Sequence, residues 1–206
     1  FGVYYQNIPW VLAAQKEEFK KLKNPKSHHY IIGLGHLLTE STKLTIEFYN
    51  KEYFDFPMNP TQPSLFVFDQ AVIESLFLTH ANLESKGEAN SKGIELTIQK
   101  KLAKDFYGLI STSYSKAEYK GLDNKQYNRV YDNRFTFALE GGYKPNESWE
   151  FSARWLYAGG APYTPFDETI SKEVNKGVFN NSKINSERLP ETSAQIDVFT
   201  IQNLRL

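Results

Sequence analysis

Between Ser91 and Phe166 large apolar residues repeatedly fall on every second position. Residues 92–102 set Ile94, Leu96 and Ile98 against Glu95, Thr97 and Gln99, and residues 106–115 set Phe106, Ile110 and Tyr114 against Leu109, Ser111, Ser113 and Ser115. Residues 135–143 place Phe135, Phe137, Leu139 and Tyr143 opposite Thr136, Ala138 and Glu140. Residues 149–157 place Trp149, Phe151, Ala153, Trp155 and Tyr157 opposite Glu150, Ser152, Arg154 and Leu156. A period of two is the strand signature, because successive side chains point to opposite faces of a sheet. The spacing predicts four strands with one apolar face each.

The links between them alternate in length. Ala-Lys-Asp at 103–105 and Lys-Pro-Asn-Glu-Ser at 144–148 are of hairpin length and composition, whereas 120–134 is a long polar link. Upstream, His29–Leu38 and Leu44–Phe56 predict a further hairpin about the turn 39–43. Phe1–Gln6 reads as the upper end of a strand, and Ala194–Leu206 opens as another. Asn7–Ser27 reads as a charged loop with room for a helical turn or two before Pro25. Pro57–Asn90 and Gly159–Ser193 read as long connections, the first with two hydrophobic knots, 65–68 and 72–78, expected either to pair as a small extramembrane hairpin or to extend the strands above the bilayer. Eight strands joined by alternately short and long links is the habit of outer-membrane barrels. Phe106, Tyr143 and Trp149, beside the short turns, occupy the positions of an interfacial aromatic belt.

Composition sharpens this only in part. The 206 residues carry no net charge, which gives no reason to expect nucleic acid or an anionic surface as partner. Aromatics make up 15%, and there is no cysteine, so thiol chemistry and disulfides are excluded. A mean hydropathy of −0.52 does not argue against a membrane barrel, which needs only half of each strand to be apolar. No window is apolar enough for a membrane-spanning helix. The opening FGVYYQ has no signal-peptide pattern and starts in mid-strand, so the chain is expected to be a fragment.

QKKLAKDFYGLISTSYSKAEY and RVYDNRFTFALEGGYKPNESWEFSARWLYAGGAPYTPFD together resemble the C-terminal barrel of TonB-dependent outer-membrane receptors, in the Lys-, Asn- and Tyr-rich flavour of Bacteroidota. The resemblance rests on the order strand, tight turn, strand, loop ending in Asp132-Asn133-Arg134, strand, and on the run 159–165 where a strand leaves the barrel. It implies an all-β fold: an antiparallel transmembrane segment of eight strands from a barrel of about 22. It also implies a plug domain and an N-terminal contact with the TonB energising complex, both outside this chain. Import of a scarce, bulky ligand (iron chelate, vitamin or glycan) across the outer membrane is the function implied. A passive porin, another outer-membrane barrel, or a soluble β-sheet binding module are the alternatives.

Candidate chemistry is sparse. His28, His29, His36 and His80 lack metal-ligand spacing, so neither metal nor cofactor is expected. Ser113-Tyr114-Ser115-Lys116 has the Ser-x-x-Lys spacing of penicillin-binding proteins but falls in mid-strand, and the chain is expected not to be an enzyme. Gly141-Gly142 is expected to mark a bend or a close approach in a strand. The alternation assigns Glu47, Lys51, Glu95, Gln99, Glu140, Glu150 and Arg154 to the lumen, as a permeation path or a charge ladder against the plug. Phe66, Phe68, Tyr127, Tyr131, Tyr163 and Phe166 in the outer loops are the candidates for stacking on a ligand, with loop packing as the other use of the same rings.

Overall fold

The computed structural model describes residues 1–69 and 80–202. Its strands are β1 (Gly2–Tyr5), β2 (Lys26–Thr39), β3 (Thr42–Met58), β4 (Glu84–Ala103), β5 (Phe106–Lys120), β6 (Gln126–Asn128), β7 (Phe135–Tyr143), β8 (Trp149–Ala158), β9 (Pro162–Tyr163), β10 (Glu187–Arg188) and β11 (Thr192–Gln202). The main sheet follows the antiparallel order β1-β2-β3-β4-β5-β7-β8-β11, with β6 folded back on β5 and β9 pairing β10 apart from it. The wall is open, a segment of a barrel.

The three expected hairpins stand at the expected turns. Lys104 and Asp105 both have positive φ (53° and 67°), the conformation of a two-residue turn whose twist matches the flanking strands. In the β7–β8 turn the Asn146 side chain accepts from the Ser148 and Trp149 amides at 2.9 and 3.0 Å.

Register confirms the alternation across the sheet. Leu44, Ile98, Ile110, Leu139 and Trp155 form one cross-strand row, and Ile32, Phe48, Ile94, Tyr114 and Phe135 another on the same face. The opposite face runs Gly33, Glu47, Glu95, Ser113, Thr136. A one-residue slip would invert every side chain, so the agreement of five strands fixes the faces together. Apolar rings also mark the lower boundary: Phe106 stacks on Tyr143 at 4.6 Å and Trp149 on Phe151 at 5.9 Å. From Phe106 to Tyr114 the band covers roughly 26 Å of strand at about 3.3 Å per residue, enough to cross a hydrocarbon layer at a tilt.

Above the band the strands run further than the alternation suggests. β3 continues to Met58 and β4 starts at Glu84, so the connection expected from 57 is shorter, and the 120–134 link contains β6. Residues 159–193 hold β9, β10 and a short helix, α1 counting Trp10–Ala13 and α2 Glu168–Glu173. The 65–68 knot does not form a hairpin strand: Phe66 makes an isolated bridge to Met58 and lies among turns, and 72–78 lies outside the described residues.

Many apolar side chains on the band are exposed, Leu34 at 68% and Ile32 at 66%, and β1 pairs with Lys26–His29, which leaves the lower edge of β2 unpaired among the described residues. A bare apolar face of this size is a liability in water, and unpaired backbone groups are costly in hydrocarbon. A polypeptide of these 206 residues alone is therefore expected to aggregate without detergent. A monodisperse monomer with a cooperative melt in plain buffer, read by light scattering and calorimetry, would overturn the lipid-facing assignment.

Candidate functional site: the braced outer loops

The loops at the upper end fold over the polar face of the wall. A bulge with Asp55 at φ 60° inserts one residue in β3, so that Phe56 shares a face with Tyr53. Phe56, Met58, Phe66, Ala89 and Tyr119 then close a buried cluster with Phe68 and Tyr127 on its rim. The Tyr119 hydroxyl donates to the Ser64 carbonyl at 2.7 Å and pins the 59–69 loop to β5. A second cluster, Leu12, Phe19, Val67 and Leu83, joins the β1–β2 loop to the β3–β4 loop. Lys23 and Gln15 reinforce it through a backbone donation to Ser85 Oγ (2.9 Å) and an acceptance from the His80 amide (3.2 Å).

Two buried carboxylates tie the remaining loops together. Asp69, 2% exposed, accepts from Arg129 Nε at 2.9 and 3.0 Å, and the guanidinium lies over the Tyr53 and Phe66 rings, 5.3 Å from each centroid. Burial works against the Arg129 charge, but the Asp69 hydrogen bonds and charge prevail, and its pKa lies above the usual value. Asp132 is fully buried and accepts from the Ala117 amide at 3.0 Å, Arg134 Nε at 2.8 Å and Arg188 Nη2 at 2.7 Å. Arg188 also donates to the Gly160 carbonyl at 3.0 Å. Beside it Asn128 and Asn185 exchange side-chain-to-carbonyl bonds at 3.0 and 2.8 Å. The Asp132-Asn133-Arg134 run is thus a junction: β5, the β6–β7 loop and the loop after β8 meet at one carboxylate.

Gly159 and Gly160 serve the same junction. A Cβ on Gly160 would fall 1.7 Å from the Leu189 carbonyl oxygen, and one on Gly159 would fall 2.2 Å from that of Asn133. Gly160→Ala is expected to part the loop after β8 from the wall at a cost of roughly 1–3 kcal/mol. Amide exchange across 160–190 would rise while β4 and β5 stay protected; unchanged exchange would contradict the packing.

The ligand-stacking candidates do not gather at one place. Phe66 is 2% exposed and, with Phe68 and Tyr127, packs the wall's upper core, so its ring is used for loop packing. Tyr127 donates to Asp123 at 2.6 Å; burial and that bond push its pKa up to about 12, and the same bond holds Asp123 below its ordinary value. Tyr131 is exposed, and Tyr163 donates to Glu187 at 2.9 Å, which raises its pKa. Phe166 stacks on Phe179 at 4.8 Å, both more than half exposed. Phe179, Arg129, Asp69 and Arg188 are absent from the sequence-based candidates. Asp69 and Arg129 lie 60 residues apart and Arg188 lies 56 from Asp132, Phe179 meets Phe166 across α2, and no local spacing marks them.

The lumen candidates do share one face. Arg154 pairs with Glu140 at 3.0 Å, Glu150 accepts from the Tyr107 hydroxyl at 2.6 Å, and Lys51 lies 4.7 Å over the Tyr49 ring. Glu47 stands opposite Glu95, and Lys43, Gln99, Leu109, Glu140 and Arg154 make one row. The Gly141-Gly142 pair is a close approach: a Cβ on Gly142 would meet the Tyr107 ring at 2.2 Å.

The sequence model of the family described as TonB dependent receptor-like, beta-barrel matches residues 3–189. No curated protein matches. Among solved structures, the ferric-catecholate import receptor Fiu of Escherichia coli K12 is similar at 13% identity and a TM-score of 0.53, over 88% of this chain and 21% of its own. The ferripyoverdine receptor of the Pseudomonas aeruginosa outer membrane, bound to ferripyoverdine, is similar at 11% and 0.55, over 96% and 23%. The E. coli outer-membrane transporter YddB is similar at 12% and 0.52, over 88% and 26%. At those identities the likeness is one of fold. The chain spans about a quarter of these proteins' length.

Proposed function

This chain belongs to the TonB-dependent receptor-like β-barrel family, and we propose that it forms barrel wall and outer loops of an active importer in the outer membrane of a Gram-negative bacterium. The observation that carries the reading is the division of labour between the faces. One face bears a continuous apolar band, and the other is polar and closed at the top by loops braced through Asp69 and Asp132. Such a wall suits a lumen occupied by a plug, which the family supplies from another part of the protein. The braced loops suit a preformed ligand platform, because little ordering entropy is left to lose on binding. Tyr131, Tyr163, Phe166 and Phe179 are among the exposed rings on that platform.

Ser113 Oγ is engaged with Thr136 Oγ1 at 2.7 Å within the sheet. Ferric chelates are the first ligand class to test, since similar folds include receptors for a ferric catecholate and for ferripyoverdine. The test is uptake of radiolabelled iron chelates, a cobalamin and oligosaccharides by cells carrying the full-length gene, with and without a functional energising complex. Energy-dependent uptake of one class supports the importer. Equal, energy-independent flux of small solutes would favour a passive pore.

A further inference from the structure

The outward face above the apolar band has chemistry that import through the lumen does not use. On β4 the side chains alternate sharply there: Gly87 and Ala89 are buried under the loops, whereas Lys86 and Glu88 are exposed. Lys92 and Lys116 stand directly opposite each other in register, one row above Ile94 and Tyr114, the last apolar pair on these two strands. Like charges so placed repel unless an anion lies between them. Lys116 is pulled toward Glu118 at 2.6 Å, but Lys92 is exposed and has no acidic partner among the described residues. At the edge of a hydrocarbon layer, that is where lipid phosphates lie.

About 20 Å further up the same strand, at about 3.3 Å per residue, the same face opens into a groove of about 790 Å³. Three lysines, Lys26, Lys86 and Lys120, line it with three carboxylates, Asp55, Glu84 and Glu88. Lys26 pairs with Asp55 at 3.2 Å and Lys86 with Glu84 at 2.6 Å, so the groove offers donors and acceptors with little net charge. Phe54 gives it a flat apolar element, its ring 5.2 Å from that of His28. Balanced polar groups around an aromatic surface suit the hydroxyls and apolar faces of a saccharide.

We propose that the outward faces of β4 and β5 hold a phosphorylated glycolipid of the surrounding outer leaflet, its phosphate between Lys92 and Lys116 and its sugar chain in the groove above. The order is the one an amphiphile standing in the leaflet must adopt: acyl chains on the apolar band, phosphate at its edge, sugars beyond. The proposal rests on the barrel lying in a membrane, and its test separates the two claims.

The full-length receptor, stripped of lipid in neutral detergent, is titrated with lipopolysaccharide and with phosphatase-treated lipopolysaccharide, and bound lipid is read by native mass spectrometry. The intact lipid is expected to bind more tightly than the treated one. K92E/K116E should weaken the intact lipid about tenfold or more and leave the treated one nearly unchanged. Phe54→Ala should weaken both several-fold. Insertion into phosphatidylcholine vesicles and heat-modifiable gel mobility report that each variant is folded. Three results would each overturn the proposal while the barrel stands: intact and treated lipid binding alike, K92E/K116E binding as wild type does, or inorganic phosphate at millimolar concentration displacing the lipid. No effect of Phe54→Ala would remove the groove from it. Failure of the wild-type protein to insert into vesicles would instead overturn the membrane reading.

Discussion

Arginine at Leu139 is expected to destabilise the folded barrel by about 2–4 kcal/mol, whereas arginine at the neighbouring Ala138 should cost far less. Leu139 lies midway between Tyr143 and Phe135 on β7, in the row with Ile110 and Trp155, and is 41% exposed on the apolar face. There a guanidinium must be carried into hydrocarbon or must drag water and headgroups toward it. Ala138 is one residue away but faces the opposite side, in register with Ser111 and Leu156, where water or a polar domain can receive the charge. Phe137 sits one row above Leu139, packed at 5.2 Å on Trp155, and arginine there should cost somewhat less than at Leu139 because the interface is nearer. The measurement is denaturant-dependent folding of the full-length protein into lipid vesicles. Equal tolerance at 138 and 139 would mean that this face does not meet lipid.

That prediction was open to sequence reasoning because one face of each strand meets a uniform apolar solvent, which imposes a period of two without help from distant residues. The same logic fails above the band. Residues 84–91, ESKGEANS, show no apolar alternation, yet they are strand, because their backbone groups pair with β3 along the stretch and with β5 from Glu88 onward. Loop closure hides the core in a similar way. Phe66 reads as a ring available for stacking, but an apolar loop residue signals burial as readily as recognition, and here the Asp55 bulge brings Phe56 to meet it at 5.3 Å. The Asp132-Asn133-Arg134 run stood out as a motif, while its role did not, since the partner Arg188 is supplied from beyond β8. Long-range ion pairs have no spacing by which to be found.

Asp132→Ala is expected to open the outer platform without unfolding the wall. The carboxylate is fully buried and satisfies a backbone amide and two guanidinium groups from separate segments. Its removal leaves Arg134 and Arg188 partly buried without a counter-charge and the Ala117 amide without its acceptor. Breaking a buried pair in this way costs roughly 3–5 kcal/mol, and the partial exposure of both arginines, 29% and 32%, places the effect toward the lower end. The cost falls on the loops. Strands β4, β5, β7 and β8 keep their ladders and their lipid face, and none of these depends on Asp132 beyond the Ala117 amide. Gel mobility of the folded barrel should therefore be unchanged, while amide exchange over 159–190 rises and ligand affinity falls by tenfold or more. Asp132→Asn keeps the shape and one acceptor but not the charge, and should fall between the two. If Asp132→Ala leaves exchange and affinity as they are, the junction does not hold the loops. If it abolishes vesicle insertion instead, the carboxylate belongs to the folding of the wall itself, and the platform is not a separable unit.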